Sequence, residues 1–192
     1  LAIMAAAAGI FSQIKEDSTF LTNPENLSRN IEGIKERLNS TIYNLSGTKS
    51  VFVRFNPNIT HSNEGVYLVR HSSEEPFTSH PTTNIKQYSP TDMEHVGWYY
   101  KPIMTGSPIW LTPYFNKNIN AYIISYVIPM FIDAREIGVV GIDIDFDHLT
   151  SQLSKIHFMQ SGYAFLEDAE GFVIYHPIAR SEERRVGKEC RS

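Results

Sequence analysis

Glu136-Ile-Gly-Val-Val-Gly-Ile-Asp-Ile-Asp-Phe146, preceded by Ala121-Tyr-Ile-Ile-Ser-Tyr-Val-Ile128, decides how this chain folds. Both runs are β-branched or aromatic and lack helical spacing, so each reads as a strand. Pro129 is expected to stop the first strand, and Ile132-Asp-Ala-Arg135 to turn the chain back into the second. Side chains alternate along a strand. Val140, Ile142, Ile144 and Phe146 therefore share a core face, while Gly141, Asp143 and Asp145 share the other. A carboxylate beside a glycine, on the second face of a strand this apolar, is costly to bury without a partner. Asp143 should be answered by a cation or by hydrogen-bond donors. A salt bridge to Lys or Arg is the plain alternative to a ligand.

Upstream, Ser50-Val-Phe-Val-Arg-Phe55 and Gly65-Val-Tyr-Leu-Val-Arg70 read as a hairpin. Before them, Leu27, Ile31, Ile34, Leu38, Ile42 and Leu45 recur at spacings of three and four. That stripe predicts a long amphipathic helix, entered through Asn23 as N-cap and Pro24 at its first position. Residues 71–95 hold Ser, Thr, Pro and His without period and read as a long loop, of the kind that closes binding sites. Downstream, Asp147 is expected to cap a short helix through Leu149, Leu153 and Ile156, and 162–166 with 172–176 to form a last hairpin. No strand–helix–strand alternation occurs. The economical fold is α+β: an antiparallel sheet of about five strands with a long N-terminal helix.

Composition removes several functions. The chain has 192 residues and a formal net charge of −4, which leaves no basic surface for nucleic acid. The lone cysteine, Cys190, excludes disulfides, thiolate metal sites and a cysteine nucleophile from the body. Asp143, Asp145 and Asp147 invite a calcium loop, but the positions needing Gly and Glu are His148 and Ser154, so the EF-hand pattern fails. The seven histidines show no ligand spacing, and no nucleophile or phosphate-loop motif occurs. No catalytic residue, metal site or cofactor is expected. Residues 1–11 are apolar yet too short to cross a bilayer unaided. They read equally as the buried face of a leading helix or as the end of a transmembrane helix. Residues 180–192 turn abruptly charged and resemble translated vector sequence.

Aromatic rings concentrate at Trp98-Tyr-Tyr100, Trp110 and Tyr114, among Pro102, Gly106, Pro108 and Pro113. They either staple an irregular loop to the sheet or wall a small-molecule pocket. Rings with a carboxylate also suit an ammonium group.

Glu94-His-Val-Gly-Trp-Tyr-Tyr100, Pro108-Ile-Trp-Leu-Thr-Pro-Tyr114, Ile124–Pro129, Ile137–Phe146 and Gly162–Pro177 together resemble the double-Cache sensor family over about residues 20–178. The resemblance implies a PAS-like, membrane-distal domain over 23–160, preceded by a leading or transmembrane helix (1–22). It implies the start of a membrane-proximal domain over 161–179. Such modules lie outside the bacterial cell membrane, bind small molecules, and allow a homodimer. They drive diguanylate cyclase, histidine kinase or chemoreceptor outputs, the first two being the nearer match in wording. In amino-acid-binding members, an Arg-x-Trp-Tyr motif, a later Tyr and an Asp hold the ligand. Trp98 and Tyr99 match the aromatic pair, Tyr114 the later tyrosine, and Asp143 the aspartate that receives an ammonium group. Val96 stands in the arginine's place and Thr91 in that of an upstream tyrosine, so the carboxylate clamp is missing. An amine or another polar metabolite is the expected ligand. A ligand-free dimerisation module and a secreted hydrolase are the rival readings.

Overall fold

The computed structural model of the chain describes residues 9, 12, 16, 18–43, 45–159, 162–168 and 170–178. The expectations for residues 1–11 and 180–192 lie mostly or wholly outside them. A 3-10 turn, Ser18–Thr22, leads into α1, Pro24–Ile42. Asn23 Oδ1 accepts from the backbone N–H groups of Glu25 and Asn26, both at 3.1 Å, which is the expected N-cap. Leu27, Ile31, Ile34, Leu38 and Ile42 are all buried, one stripe along one side of the helix.

The sheet has seven antiparallel strands rather than about five, the surplus being short edge pieces. β1 is Thr48–Phe55, β2 Gly65–Val69, β3 Thr78–Ser79, β4 Ile109–Trp110, β5 Tyr114–Asn116, β6 Ala121–Ile132 and β7 Arg135–Asp145. Their order is β3-β2-β1-β7-β6-β4, with β5 also pairing β6, so β7 lies between β1 and β6. A one-turn helix, α2 (Pro57–Thr60), joins β1 to β2.

β6 runs through Pro129 instead of ending there. Parity explains it. Leu111 N donates to Ser125 O at 2.9 Å, so Ser125 points its backbone groups toward β4, and Pro129 faces the same side. β4 reaches no further than Val127, so the N–H that proline lacks is not needed. The β6–β7 turn holds Asp133 and Ala134 at φ of 49° and 62°, the left-handed pair that suits a tight hairpin.

The two sheet faces are covered by different parts of the chain. Val51, Val53, Phe55, Val66, Leu68 and Val140 pack under the α1 stripe. On the opposite face Phe52, Val127 and Val139 meet Ile85, Val96, Tyr99 and Leu111 from the long connection between β2 and β6. That connection is not one irregular loop. It folds a helix, α3, over Gly97–Thr105, where the sequence reading saw only rings among breakers. Gly106, at φ 65°, closes α3, and Pro102 lies inside it.

Helix α4, Phe146–Leu153, follows β7 directly. Its cap is Asp145, whose Oδ1 accepts from His148 N at 2.9 Å, and not Asp147, which lies in the first turn. Beyond it, β8 (His157–Phe158) pairs with β9 (Gly162–Tyr163), and β10 (Leu166–Glu167) with β11 (Val173–Tyr175), both apart from the main sheet. The boundary expected between 160 and 161 falls inside the first of these pairs.

Candidate functional site

The face of the sheet away from α1 carries the chemistry. β1 sends Ser50, Phe52 and Arg54 to it, β2 sends Tyr67, β6 sends Ser125, and β7 sends Gly141 and Asp143. Ser50 and Ser125 lie opposite Asp143 on the two neighbouring strands. That register puts a hydroxyl on each flank of the carboxylate. Ser50 Oγ donates to Asp143 Oδ2, and Ser125 Oγ donates to Oδ1 at 2.7 Å. Tyr114 OH lies 3.2 Å from Ser125 Oγ, extending the chain of hydroxyls.

Asp143 is 2% exposed, and among the described residues no cation pairs with it. Burial pushes its carboxyl up to about 6, against which the two serine hydroxyls pull it down. The hydroxyls of Tyr67 and Tyr114 are pushed up too, first by burial and then by the charge of Asp143.

Beside this carboxylate lies a cavity of about 450 Å³, its open mouth included. Phe52, Tyr67, Trp98 and Tyr114 wall it, and Thr82, Thr83, Asn116, Asn118, Arg54 and Asp143 supply its polar groups. Gly141 gives the Phe52 ring its place: a Cβ there would come within 2.2 Å of Phe52 Cζ. Trp98, from α3, meets Phe52 edge-on at 5.1 Å and donates its Nε1 hydrogen to His95 O at 3.0 Å. The wall is thus fixed before any guest arrives.

Three of the four residues expected from the sequence, Trp98, Tyr114 and Asp143, line this cavity together. Tyr99 does not. It is 1% exposed, packs in the apolar cluster under α3, and donates its hydroxyl to Glu136 Oε1 at 2.5 Å. Adjacent helical residues point about 100° apart, so Trp98 and Tyr99 cannot both face the same space. Ser50, Arg54, Tyr67, Ser125, Asn116 and Asn118 were not anticipated. Alternation along the Ser50–Phe55 strand could have placed Ser50, Phe52 and Arg54 on one face. Nothing local could have paired Ser50 with Asp143.

A buried carboxylate held by hydroxyls, with aromatic walls and space alongside, can accept an ammonium group but offers no general acid/base pair. The family model described as dCache_1: Cache domain matches residues 1–191. Methyl-accepting chemotaxis protein PscA of Pseudomonas syringae pv. tomato is 31% identical over 84 residues, 44% of this chain and 13% of that protein. Methyl-accepting chemotaxis protein PctB of Pseudomonas aeruginosa is 25% identical over 101 residues, 53% of this chain and 16% of that protein. The chain therefore spans well under a fifth of either relative. Among solved structures, the ligand-binding domain of the Campylobacter jejuni chemoreceptor Tlp3 with L-valine matches at a TM-score of 0.60 and 18% identity. That match covers 89% of this chain and 60% of the other. An extracellular domain described as that of a histidine kinase, mmHK1S-Z2, matches at 0.58 and 17%, covering 98% and 72%. These likenesses establish the fold. Among the described residues no helix is long and apolar enough to cross a membrane.

Proposed function

This chain belongs to the Cache domain family, sensor modules of receptors rather than enzymes, and from that premise we propose that it is the extracytoplasmic sensing domain of a membrane-anchored bacterial receptor whose cavity takes a small amine. One observation carries the reading. Asp143 is a buried carboxylate that no cation among the described residues pairs with, held by two hydroxyls at the wall of an aromatic cavity. A ligand ammonium group would supply the missing charge and gain from the rings of Trp98 and Tyr114. Val96, in place of the arginine that clamps an α-carboxylate, argues against an α-amino acid held in the family's usual way.

The coupled output is of the chemoreceptor or histidine kinase class, in keeping with the relatives' descriptions. The membrane-proximal part begins with the small strand pairs that follow α4, the first of which opens at His157. Ligand binding acts between the sheet and the connection from residue 71 to Tyr114, which already packs on the sheet through Ile85, Val96, Tyr99 and Leu111. It biases the receptor only by its difference in affinity for the two states. A panel of primary amines, diamines and amino acids, read by thermal shift on the purified chain, tests this. An amine should raise Tm for the wild type and not for Asp143→Ala. A hit indifferent to that substitution would refute the assignment.

A further inference from the structure

Asp143 is 2% exposed, and Ser50 and Ser125, which hold it, are completely buried. What the cavity presents of this network is its outer end. Tyr114 and Tyr67 are half-buried, and both stand in the cavity wall. The direction of the hydrogen bonds is fixed from the inside outward. At neutral pH, above the value of about 6 to which burial pushes its carboxyl, Asp143 is ionised and only accepts. A hydroxyl has one hydrogen to give. Ser125 Oγ gives its hydrogen to Asp143 Oδ1 at 2.7 Å, so in its 3.2 Å contact with Tyr114 the serine accepts and the phenol donates.

The other flank follows the same rule. Ser50 Oγ gives its hydrogen to Asp143 Oδ2. Tyr67, on β2, lies opposite Phe52 and so diagonal to Ser50, and its hydroxyl engages the side chains of Ser50 and Asn116. Ser50 has no hydrogen left, so there too the phenol donates. Farther along the cavity wall, Thr82 Oγ1 gives its hydrogen to Asn63 O, which is not part of the lining. Each of these hydroxyls is left to a guest as an acceptor only. Hydrogen bonds in series that end on a charge polarise one another, so the Tyr114 oxygen takes on part of the pull of the carboxylate behind it.

We propose that the amine is held through its N–H groups by the phenol oxygens of Tyr114 and Tyr67, with Asp143 acting from behind them, and that the site therefore selects a primary ammonium group over a quaternary one. This rests on the reading of Asp143 above and names the kind of amine it takes. Aromatic rings around a carboxylate otherwise suit a trimethylammonium group well, since that group needs only ring faces. Here it would cover the two phenol oxygens with methyl groups and leave them without a donor, at the cost of the water they give up. A primary ammonium group has three N–H donors. It meets both oxygens, while its alkyl chain lies against Phe52 and Trp98.

Isothermal titration of the purified chain with butylamine and with butyltrimethylammonium separates the outcomes. Butylamine should bind about ten- to a hundredfold more tightly, the span expected when hydrogen bonds to a charged donor are lost. Tyr114→Phe keeps the ring and removes the acceptor. It should close most of that gap by weakening butylamine, and leave butyltrimethylammonium unchanged. A preference that this variant keeps in full comes from the size of the headgroup, and overturns the role of the phenols. Should Tyr114→Phe not fold, Tyr67→Phe decides in its place. Wild type binding the two compounds equally, or the quaternary one more tightly, also overturns the selectivity, with the amine site standing. Should neither compound bind, the reading of Asp143 fails and this one with it.

Discussion

Asp143→Asn isolates the energetic cost of the site. Burial raises the Asp143 carboxyl from an ordinary 3.8 to about 6 in the folded chain. Between those two values the native state holds a proton that the unfolded state has released. Stability therefore falls as pH rises through the window, and stays lower above it. At 1.36 kcal/mol per pH unit, the loss accumulated by neutral pH is about 3 kcal/mol. Asparagine keeps the shape and one acceptor but cannot ionise, so the variant escapes the loss. Reorienting Ser50 and Ser125 around its amide carries a cost, but one that does not vary with pH. The quantity to measure is therefore the stability of the variant minus that of wild type, by urea denaturation at pH 4 and again at pH 7.5. This difference should move in the variant's favour by about 2.4 kcal/mol between the two, since about 0.5 kcal/mol of the loss is already present at pH 4. Every other titrating group, Asp145 beside Lys49 included, is common to both proteins and cancels. A difference that stays flat, or moves the other way, would refute the claim that Asp143 is buried without a compensating cation. The same variant should lose amine binding, tying the instability to the function.

Two further outcomes follow from the backbone and its anchors. Ala134→Gly relieves a left-handed alanine at φ 62° in the β6–β7 turn; a gain of about 0.5–1 kcal/mol, or roughly 2 °C in Tm by calorimetry, is expected, and a loss would contradict the turn geometry. Arg70 donates to the backbone carbonyls of Tyr43, Leu45, Thr48 and Ser73 and lies over the Phe77 ring at 4.6 Å; Arg70→Met should cost about 3 kcal/mol in urea denaturation, since several carbonyls lose a charged donor at once, and a cost under about 1 kcal/mol would refute its role as the tie between the end of α1 and the cover.

What could be read from the sequence was what local order determines. The α1 stripe and its Asn23 cap, the β1–β2 hairpin and the two long strands are set by periodicity and by residues within one turn of each other. The misread points depend on neighbours far along the chain. Pro129 is harmless only because β4 stops short of it. Asp145 takes the place expected of Asp147 as the cap because β7 ends at Asp145, one residue before Phe146, and the helix starts at once. Trp98 and Tyr99 look like one motif in the sequence, yet helical rotation sends Trp98 to the cavity and Tyr99 to Glu136. Asp143 stood out because a strand of apolar residues carries a charge where nothing local explains it. Its partners stayed hidden, since Ser50 is 93 residues away and is joined to it only by register.

Strand β1 lends its alternate residues to two different surfaces: Ser50 to Asp143 and Phe52 to the cavity wall on one face, Val51, Val53 and Phe55 to the bed on which α1 rests on the other. The two sets are threaded on one peptide chain that cannot stretch, so a visitor that nudges the even-numbered residues must tug the odd-numbered ones as well. If a guest moves Phe52, the same strand joins that movement to the bed of α1 with no further element between them.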